Sequence, residues 1–572
     1  MSGVWKFARH LTLVLACGCT GVITGPLEET GSEPQVAPDG SLPYVAPPPA
    51  SGVLQARTWK LTHEQYRRSL EQVLGVPVSL TDADGLPRLQ PEIDSGVFRN
   101  MALASFVSVP LAEDYYRVAE ELTDALDDDA LRALIPCGEI RASCRDEFLR
   151  RAIRTAFRRP ATDEDLTRFA ALFDLAQGAA EVLGDPAAGF RAALQGILTS
   201  PYLLYRTEIG DDPAQRDFEL TDYEVASFLS YSLLGEPPDA KLLAAADRGE
   251  LTSASALPGL VQALLAEPAA ALQLREFLLE WLEVIHFLDP EIVRKDLASF
   301  DGIRPAMWAE TLDFLDRHAD MTGDLTSLLT TPAPLPSGPL GEFYLSGPTS
   351  DSADRTRTGV LALGTLLATN AKEGATSPTL RGVFLRERFL CQDFVELPNV
   401  PDINDTAERE QPRTTRELYE FHASIPSCAA CHDLIDGTGM TFESLDEVGR
   451  FRGAENGVPV DTSGKLLQTD VDTELRDHTQ LAEALAQSEW VRECLSRQAF
   501  RFYFGLATSG ERTVDGTLER ENRGMPPIQA GRAALGRGGS FGELVAALVT
   551  SPSTLQRTRF EPPSAFGAAD SP

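Results

Sequence analysis

Apolar positions recur at helical spacing over most of this chain, and the clearest runs begin with the same device. Thr62-His-Glu-Gln65 reads as a capping box, in which the threonine oxygen takes a free amide and Gln65 reaches back. Tyr66, Leu70, Val73 and Leu74 then fall on one face at i, i+4, i+7 and i+8. Thr162-Asp-Glu-Asp165 opens a second helix with Leu166, Phe169, Ala170 and Phe173 as its stripe. Thr221-Asp-Tyr-Glu224 opens a third, followed by Val225, Phe228, Leu229 and Leu233. Helix ends recur as well. Leu198-Thr-Ser-Pro201 is echoed at Val549-Thr-Ser-Pro552 and more loosely at Leu329-Thr-Thr-Pro332, where proline stops the hydrogen-bond ladder. In the first two copies an arginine, Arg206 or Arg557, follows five residues later. Internal duplication accounts for the echo; convergent helix-stop chemistry is the plainer alternative. Sustained strand alternation is missing, apart from a short hairpin expected near Gly457-Val-Pro-Val-Asp461. The apolar run from Leu272 to Leu288 is broken by Arg275, Glu276, Glu280 and Glu283, so it predicts a buried helix and not a membrane span. The expected fold is mostly all-α, with several helical modules in series.

Length and charge narrow this picture. At 572 residues the chain is too long for one core. Its 51 basic against 85 acidic residues, net −34, argue against nucleic acid or an anionic membrane surface as partner. The first residues carry an address: Lys6, Arg9 and His10 precede a short apolar run from Leu11 to Ala16, and Cys17, Gly18 and Cys19 follow. That order reads as a lipoprotein-type secretory signal. Val14-Leu15-Ala16 favours lipidation at Cys17, whereas an even number of remaining cysteines favours Cys19, and the site stays open between them. From Thr20 to about Arg57 the sequence is rich in Pro, Gly, Ser and Glu, and predicts a flexible tether.

The candidate chemistry lies at Cys428-Ala-Ala-Cys431-His432. Two thiols two residues apart can add across the two vinyl groups of one porphyrin edge, and the adjacent imidazole then reaches the iron, so the spacing is the attachment signature of haem c. With 8 cysteines and 7 histidines in the chain, composition alone yields the triplet in roughly one such sequence per thousand. A redox CxxC, half of a zinc site and a local disulfide are the other readings. Met440, eight residues on, is a tentative distal ligand, with His422 and His478 as histidine alternatives. Arg450 and Arg452 are candidates for the haem propionates, because an arginine fork matches a carboxylate. If Cys428 and Cys431 hold haem, four cysteines remain for disulfides in an oxidising compartment. Cys137 and Cys144 are close enough to pair, and Cys391 with Cys494 follows by elimination. Walker A, His-Glu-x-x-His, Gly-x-Ser-x-Gly and complete GxGxxG sequences are missing, and no carboxylate pair stands out.

Ser427 to Asp436, then Gly439, Phe442-Glu443 and Gly449-Arg450-Phe-Arg452, resemble the cytochrome-like module of large secreted proteins from planctomycetes and myxobacteria. Upstream, Leu61-Thr-His-Glu-Gln-Tyr66, Cys144 through Phe157-Arg-Arg-Pro160, and Leu220 to Tyr231 with Pro237-Pro238-Asp239 are similar to their successive modules, which are domains of unknown function. Thr376-Ser-Pro378, Arg381-Gly382 and Arg386-Glu-Arg388 with Cys391 are similar to the approach to the haem module, and Phe500-Arg-Phe-Tyr503 with Leu544 to Pro552 to the closing one. The resemblance implies attachment of one haem through Cys428, Cys431 and His432, and a Cys137–Cys144 disulfide. Two positions depart from it. Gly437-Thr438 stand where proline is expected, which would loosen a loop beside the haem. Met440 stands where an aromatic is usual.

The expected organisation is a signal (1–19), a tether (20–57), an N-terminal helical module (58–130), a disulfide-containing module (131–212), a central module (213–345), the cytochrome-like module (346–465) and a closing helical module (466–572). The expected function is electron transfer or redox chemistry at the cell envelope. The protein would be exported, periplasmic or at the outer membrane and cell surface of a Gram-negative-type bacterium. Its partner would be another secreted or envelope redox protein, and it would meet the membrane through a lipid anchor only. A non-enzymatic surface scaffold whose CxxC is a structural disulfide is the alternative. Electron transfer alone needs only a small domain, so the long body upstream of the motif implies a second task.

Overall fold

The structure is a computed structural model that describes residues 53–82, 84–92, 98–101, 107–181, 185–253, 255–289, 299–347, 355–392, 414–424, 426–506 and 525–559. The expected signal, Cys17, Cys19 and nearly all of the tether lie outside the described residues. The fold is mostly α-helical and its strands form only small sheets, as the periodicity predicts. In chain order the strands are β1 (Leu54–Gln55), β2 (Arg57–Lys60), β3 (Tyr205–Glu208), β4 (Asp217–Glu219), β5 (Ala454–Glu455), β6 (Val458–Pro459), β7 (Gly464–Leu466), β8 (Thr473–Leu475) and β9 (Gln556–Thr558). The longer helices of the first half are α1 (His63–Leu74), α2 (Val109–Ala125), α3 (Arg145–Phe157), α4 (Asp163–Glu181), α5 (Ala188–Leu198) and α6 (Asp222–Leu234). Those of the second half are α7 (Leu257–Leu265), α8 (Pro268–Trp281), α9 (Phe300–His318), α10 (Pro378–Leu390), α11 (Thr415–Ala423), α12 (Pro426–Gly439), α13 (His478–Gln487), α14 (Glu489–Phe504), α15 (Pro526–Gly536) and α16 (Phe541–Val549).

Two apolar clusters carry the packing. Residues of α1 to α5, from Leu61 to Leu204, form one, with Tyr231 reaching in from α6. The rest, from Phe218 to Leu555 together with Leu54, Phe98 and Met101, forms a single larger cluster. The stripe expected on α1, Tyr66, Leu70, Val73 and Leu74, lies on its buried face, whereas α6 is buried on every side from Glu224 to Leu234, its expected stripe included. Thr62 with Gln65 and Thr221 with Glu224 make both hydrogen bonds of the box. Thr162 and Asp165 exchange the same two bonds at the start of α4.

The sequence echo has a geometric counterpart. β2 leads into α1 and pairs antiparallel with β3, which follows α5; β4 leads into α6 and pairs antiparallel with β9, which follows α16. Leu61 N donates to Leu204 O and Leu220 N to Leu555 O, each at 2.8 Å. Arg206 lies opposite Trp59 and Arg557 opposite Phe218. Both α1 and α6 end on a left-handed glycine, Gly75 at φ 67° and Gly235 at φ 66°, which L side chains adopt only with strain. Strand, boxed helix, distant helix and returning strand thus occur twice.

The two copies meet at a buried charge cluster. Glu208 of β3, 2% exposed, receives Arg57 Nε at 2.8 Å and Arg557 Nε at 2.7 Å. Burial alone would raise its pKa, but the charges of Arg557, Arg57 and Arg206 outweigh it and hold the carboxyl at about 2. Arg206 is also buried, and its guanidinium lies 3.6 Å from the Trp59 ring centroid. Desolvation lowers it to about 9.

The apolar run near Leu272 differs in its bounds from the helix it predicts. α8 starts at Pro268 and stops at Trp281, with Glu283 at φ 55°, and Val284 and Phe287 are buried beyond its end. Among the described residues no single helix is long and apolar enough to cross a membrane; α7 and α8 would pass together but are bent by 80°. The hairpin expected near Gly457 is β5–β6, turned at Asn456 and Gly457 with φ 49° and 81°, the left-handed pair that suits a two-residue turn.

Candidate functional site

The Cys-Ala-Ala-Cys-His sequence lies on α12, whose first residue is Pro426, a position where the missing amide is no loss. Against it packs α10, at a distance only glycine allows. A Cβ on Gly439 would stand 1.8 Å from Pro378 O, and one on Gly382 would stand 2.1 Å from Ile435 O. Buried arginines of α10 fasten the motif helix and the chain beyond it. Arg386 donates to Leu434 O at 2.8 Å and to Leu467 O at 2.8 Å. Arg381 donates to the carbonyls of Leu445 and Asp446. The segment Thr376 to Cys391 is therefore the frame of the motif helix. Its far end is tied to α14 by the Cys391–Cys494 disulfide, Cα–Cα 5.5 Å. Cys137 and Cys144 form a second disulfide beside α3.

The position where proline was expected differs from expectation. Gly437 lies within the helix and not in a loop. A Cβ there would meet Lys465 O at 2.9 Å, so the absent side chain lets β7 lie against α12. The glycine serves close approach rather than loop freedom.

His432 is set by its own helix. Its Nδ1 shares a hydrogen bond with Asp436 Oδ2, 2.8 Å away and one turn on, and Thr379 Oγ1 donates to Asp436 Oδ1 at 2.7 Å. Asp436 is 7% exposed. A carboxylate on one ring nitrogen fixes the tautomer and orientation of an imidazole and leaves Nε2 for a metal. His432 lines a cleft of about 560 Å³ between α11, α12 and the β7–β8 hairpin, whose walls also include Met440, Tyr419, Lys465 and Leu475. That volume is in the range of cofactor sites.

The structure brings together some of the expected residues and separates others. Met440, buried, shares the cleft with His432. Cys431 is partly exposed on α12, and the side chain of Cys428 lies outside the described residues. His422 touches the His432 ring directly, centroids 4.7 Å apart and edge to face, which leaves no room for a porphyrin between the two. Burial lowers the His422 pKa, and the nearby His432 adds to the effect. His478 does not line the cleft; its ring stacks on Phe442. Arg450 and Arg452 are also elsewhere than expected. Arg450 is bonded to Asp446 at 2.6 Å, and Arg452 to the buried Glu443. Two carboxylates in the same segment take up the charges that propionates were expected to use, and Arg416 and Lys465 are the cations on the cleft wall. The His432–Asp436 pairing was missed in the sequence, although i, i+4 spacing on a helix places the two side chains together.

Family models match the chain in series. They are described as proteins of unknown function: DUF1587 over residues 60–127, DUF1595 over 144–208, DUF1592 over 220–345 and DUF1588, the PSCyt3 model, over 357–455. From residue 60 to residue 455 the chain is thus similar to four domains of unknown function in series. The DUF1588 match spans the motif helix and its α10 frame. No curated protein and no solved structure matches the chain.

Proposed function

We propose that the protein is an exported haem c protein that serves electron transfer or redox chemistry at the cell envelope. The observation that carries this reading is His432. It closes a Cys-x-x-Cys-His sequence, lines a cleft of cofactor size, and has Nδ1 tied to Asp436 so that Nε2 remains. Cys428 and Cys431 would attach the group, and His432 and Met440, which line the same cleft, would hold its iron. A bound haem supplies one-electron redox chemistry. What the chain supplies is position. Asp436 and Thr379 hold the imidazole, and the glycine contacts of α10 and β7 hold the helix that bears it. The partner is another secreted or envelope redox protein, reached from a lipid anchor at Cys17 or Cys19.

The test is the reduced pyridine haemochrome spectrum of protein made in a host with haem-c maturation, after acid–acetone extraction. Retained haem with a c-type band is expected, and its loss in Cys431→Ser assigns the attachment. Apoprotein from a maturation-competent host overturns the reading and leaves a disulfide-stabilised surface binding protein.

A further inference from the structure

Two buried carboxylates lie close behind His432 in the chain, and each receives a threonine from the segment that opens α10. Thr376 Oγ1 donates to Glu443 Oε2 at 2.9 Å, and Thr379 Oγ1 donates to Asp436 Oδ1 at 2.7 Å. Beyond that the two differ. Glu443 also pairs with Arg381 and Arg452, so its charge is spent within the protein. Asp436 pairs with His432, and among the described residues no arginine or lysine pairs with it. Its charge is therefore directed at one group, the ring that closes the Cys-x-x-Cys-His sequence.

How strongly that charge acts depends on the other oxygen. Asp436 Oδ2 faces His432 Nδ1 at 2.8 Å, while Oδ1 accepts from Thr379. A hydrogen bond donated to a carboxylate favours its charged form and weakens its hold on a proton. The hydroxyl thus competes with the ring for the same carboxylate. The weaker the pull on Nδ1–H, the less basic the imidazole is at Nε2. Asp436 is only 7% exposed, so water has little room to take over from the hydroxyl.

The backbone holds the hydroxyl in place. Thr379 is the second residue of α10, after Pro378 and the N-cap Ser377, whose Oγ accepts from Leu380 N at 3.3 Å. Pro378 O is seated on Gly439 of α12, where a Cβ would stand 1.8 Å away. A β-branched side chain also has few χ1 choices. The packing of the two helices, and not Asp436 alone, sets where Oγ1 lies.

We propose that Thr379 is a positioning residue that sets how far Asp436 polarises His432, and through it the midpoint potential of the bound haem. The effect on the potential rests on the haem reading above; the effect on the ring does not. Thr379 acts against the carboxylate, so removing the one and removing the other shift the potential in opposite directions.

The test is spectroelectrochemistry of the haem-loaded full chain. Thr379→Val keeps the shape and removes the donor. It should lower the midpoint by about threefold in the ferric–ferrous equilibrium, about 30 mV at about 59 mV per tenfold for one electron. Thr379→Ser restores the hydroxyl and should restore the wild-type potential. In the Asp436→Asn background Thr379→Val should change nothing, because the hydroxyl acts only through the carboxylate. A potential that stays or rises in Thr379→Val overturns the proposal, as does an equal shift in both backgrounds, or a serine variant that behaves like valine. The chain without haem gives a second readout, by NMR with 15N-labelled histidine. His432 is expected to carry its proton on Nδ1, and that proton should move downfield in Thr379→Val and not in Thr379→Ser. A chain that retains no haem overturns the haem reading and the potential with it, while the NMR shift still decides the action on the ring. Retained haem with neither readout moved in Thr379→Val overturns the role of Thr379 and leaves the haem reading standing.

Discussion

Replacing Glu208 by glutamine tests the buried cluster that joins the two repeated units. Glu208 is 2% exposed and is the shared acceptor of Arg57 and Arg557, with Arg206 also nearby. Glutamine keeps the shape and removes the charge, which leaves those guanidiniums buried without their common anion. Breaking a buried pair on one side costs about 3–5 kcal/mol. The pKa gives a second route to the magnitude. A drop from the usual 4.5 to about 2 corresponds to about 3 kcal/mol at neutral pH, at about 1.4 kcal/mol for each tenfold step. The sign follows from the depressed folded-state value. The contribution is fully present above pH 4.5 and is lost as pH falls through 2. Urea unfolding of the full chain, followed at several pH values in wild type and Glu208→Gln, separates this carboxylate from all others, since the rest titrate alike in both. The expected result is a gap of about 3 kcal/mol at pH 7 that narrows on acidification, with an unchanged denaturant slope. A gap under about 1 kcal/mol, or one that does not change between pH 5 and 2, would refute the reasoning.

Glu280 has the opposite sign. Its pKa is raised to about 7 by burial, so its contribution is present below pH 4.5 and lost as pH rises through 7; Glu280→Gln should gain on wild type in urea melts between pH 5 and 8. Removal of the Cys391–Cys494 disulfide, which spans 103 residues, should cost about 4–5 kcal/mol, and removal of Cys137–Cys144, which spans 7, about half as much, read from unfolding of the double alanine variants. Gly439→Ala puts a methyl against Pro378 O, and should destabilise by about 1–3 kcal/mol through overpacking at the α10–α12 crossing, measured by thermal melting. Asp436→Asn keeps a hydrogen-bonding side chain beside His432 but removes the carboxylate. In haem-loaded protein it should raise the midpoint potential by spectroelectrochemistry, because a less basic imidazole favours the ferric state less.

How much of this was legible in the sequence depends on the range of the interaction. Capping boxes, amphipathic stripes and the Asn456-Gly457 turn are decided within a few residues, and Thr62, Thr221 and Gly457 stand where local chemistry puts them. The echo of Pro201 and Pro552 was visible as a string, but its meaning required the pairing of β2 with β3 and β4 with β9 across long stretches of chain. Arg450 and Arg452 show the limit clearly. An arginine near a haem motif could face an anionic cofactor or a protein carboxylate, and only the fold places Asp446 and Glu443 within reach. Gly437 shows it again, for a glycine in a helix reads as freedom until β7 is seen to lie against it.

The buried Glu280 and the frame of His432 rest on neighbouring helices of one core. α8, which carries Glu276 and Glu280, ends at Trp281, whose Nε1 donates to Arg388 O at 2.9 Å and whose ring lies 4.6 Å from that of Phe389. Both of those residues belong to α10, which frames the motif helix α12 through Gly382 and Arg386. Large side chains packed at interior density transmit displacement, because no void absorbs it. A substitution that moves α8 therefore moves the frame of His432 as well.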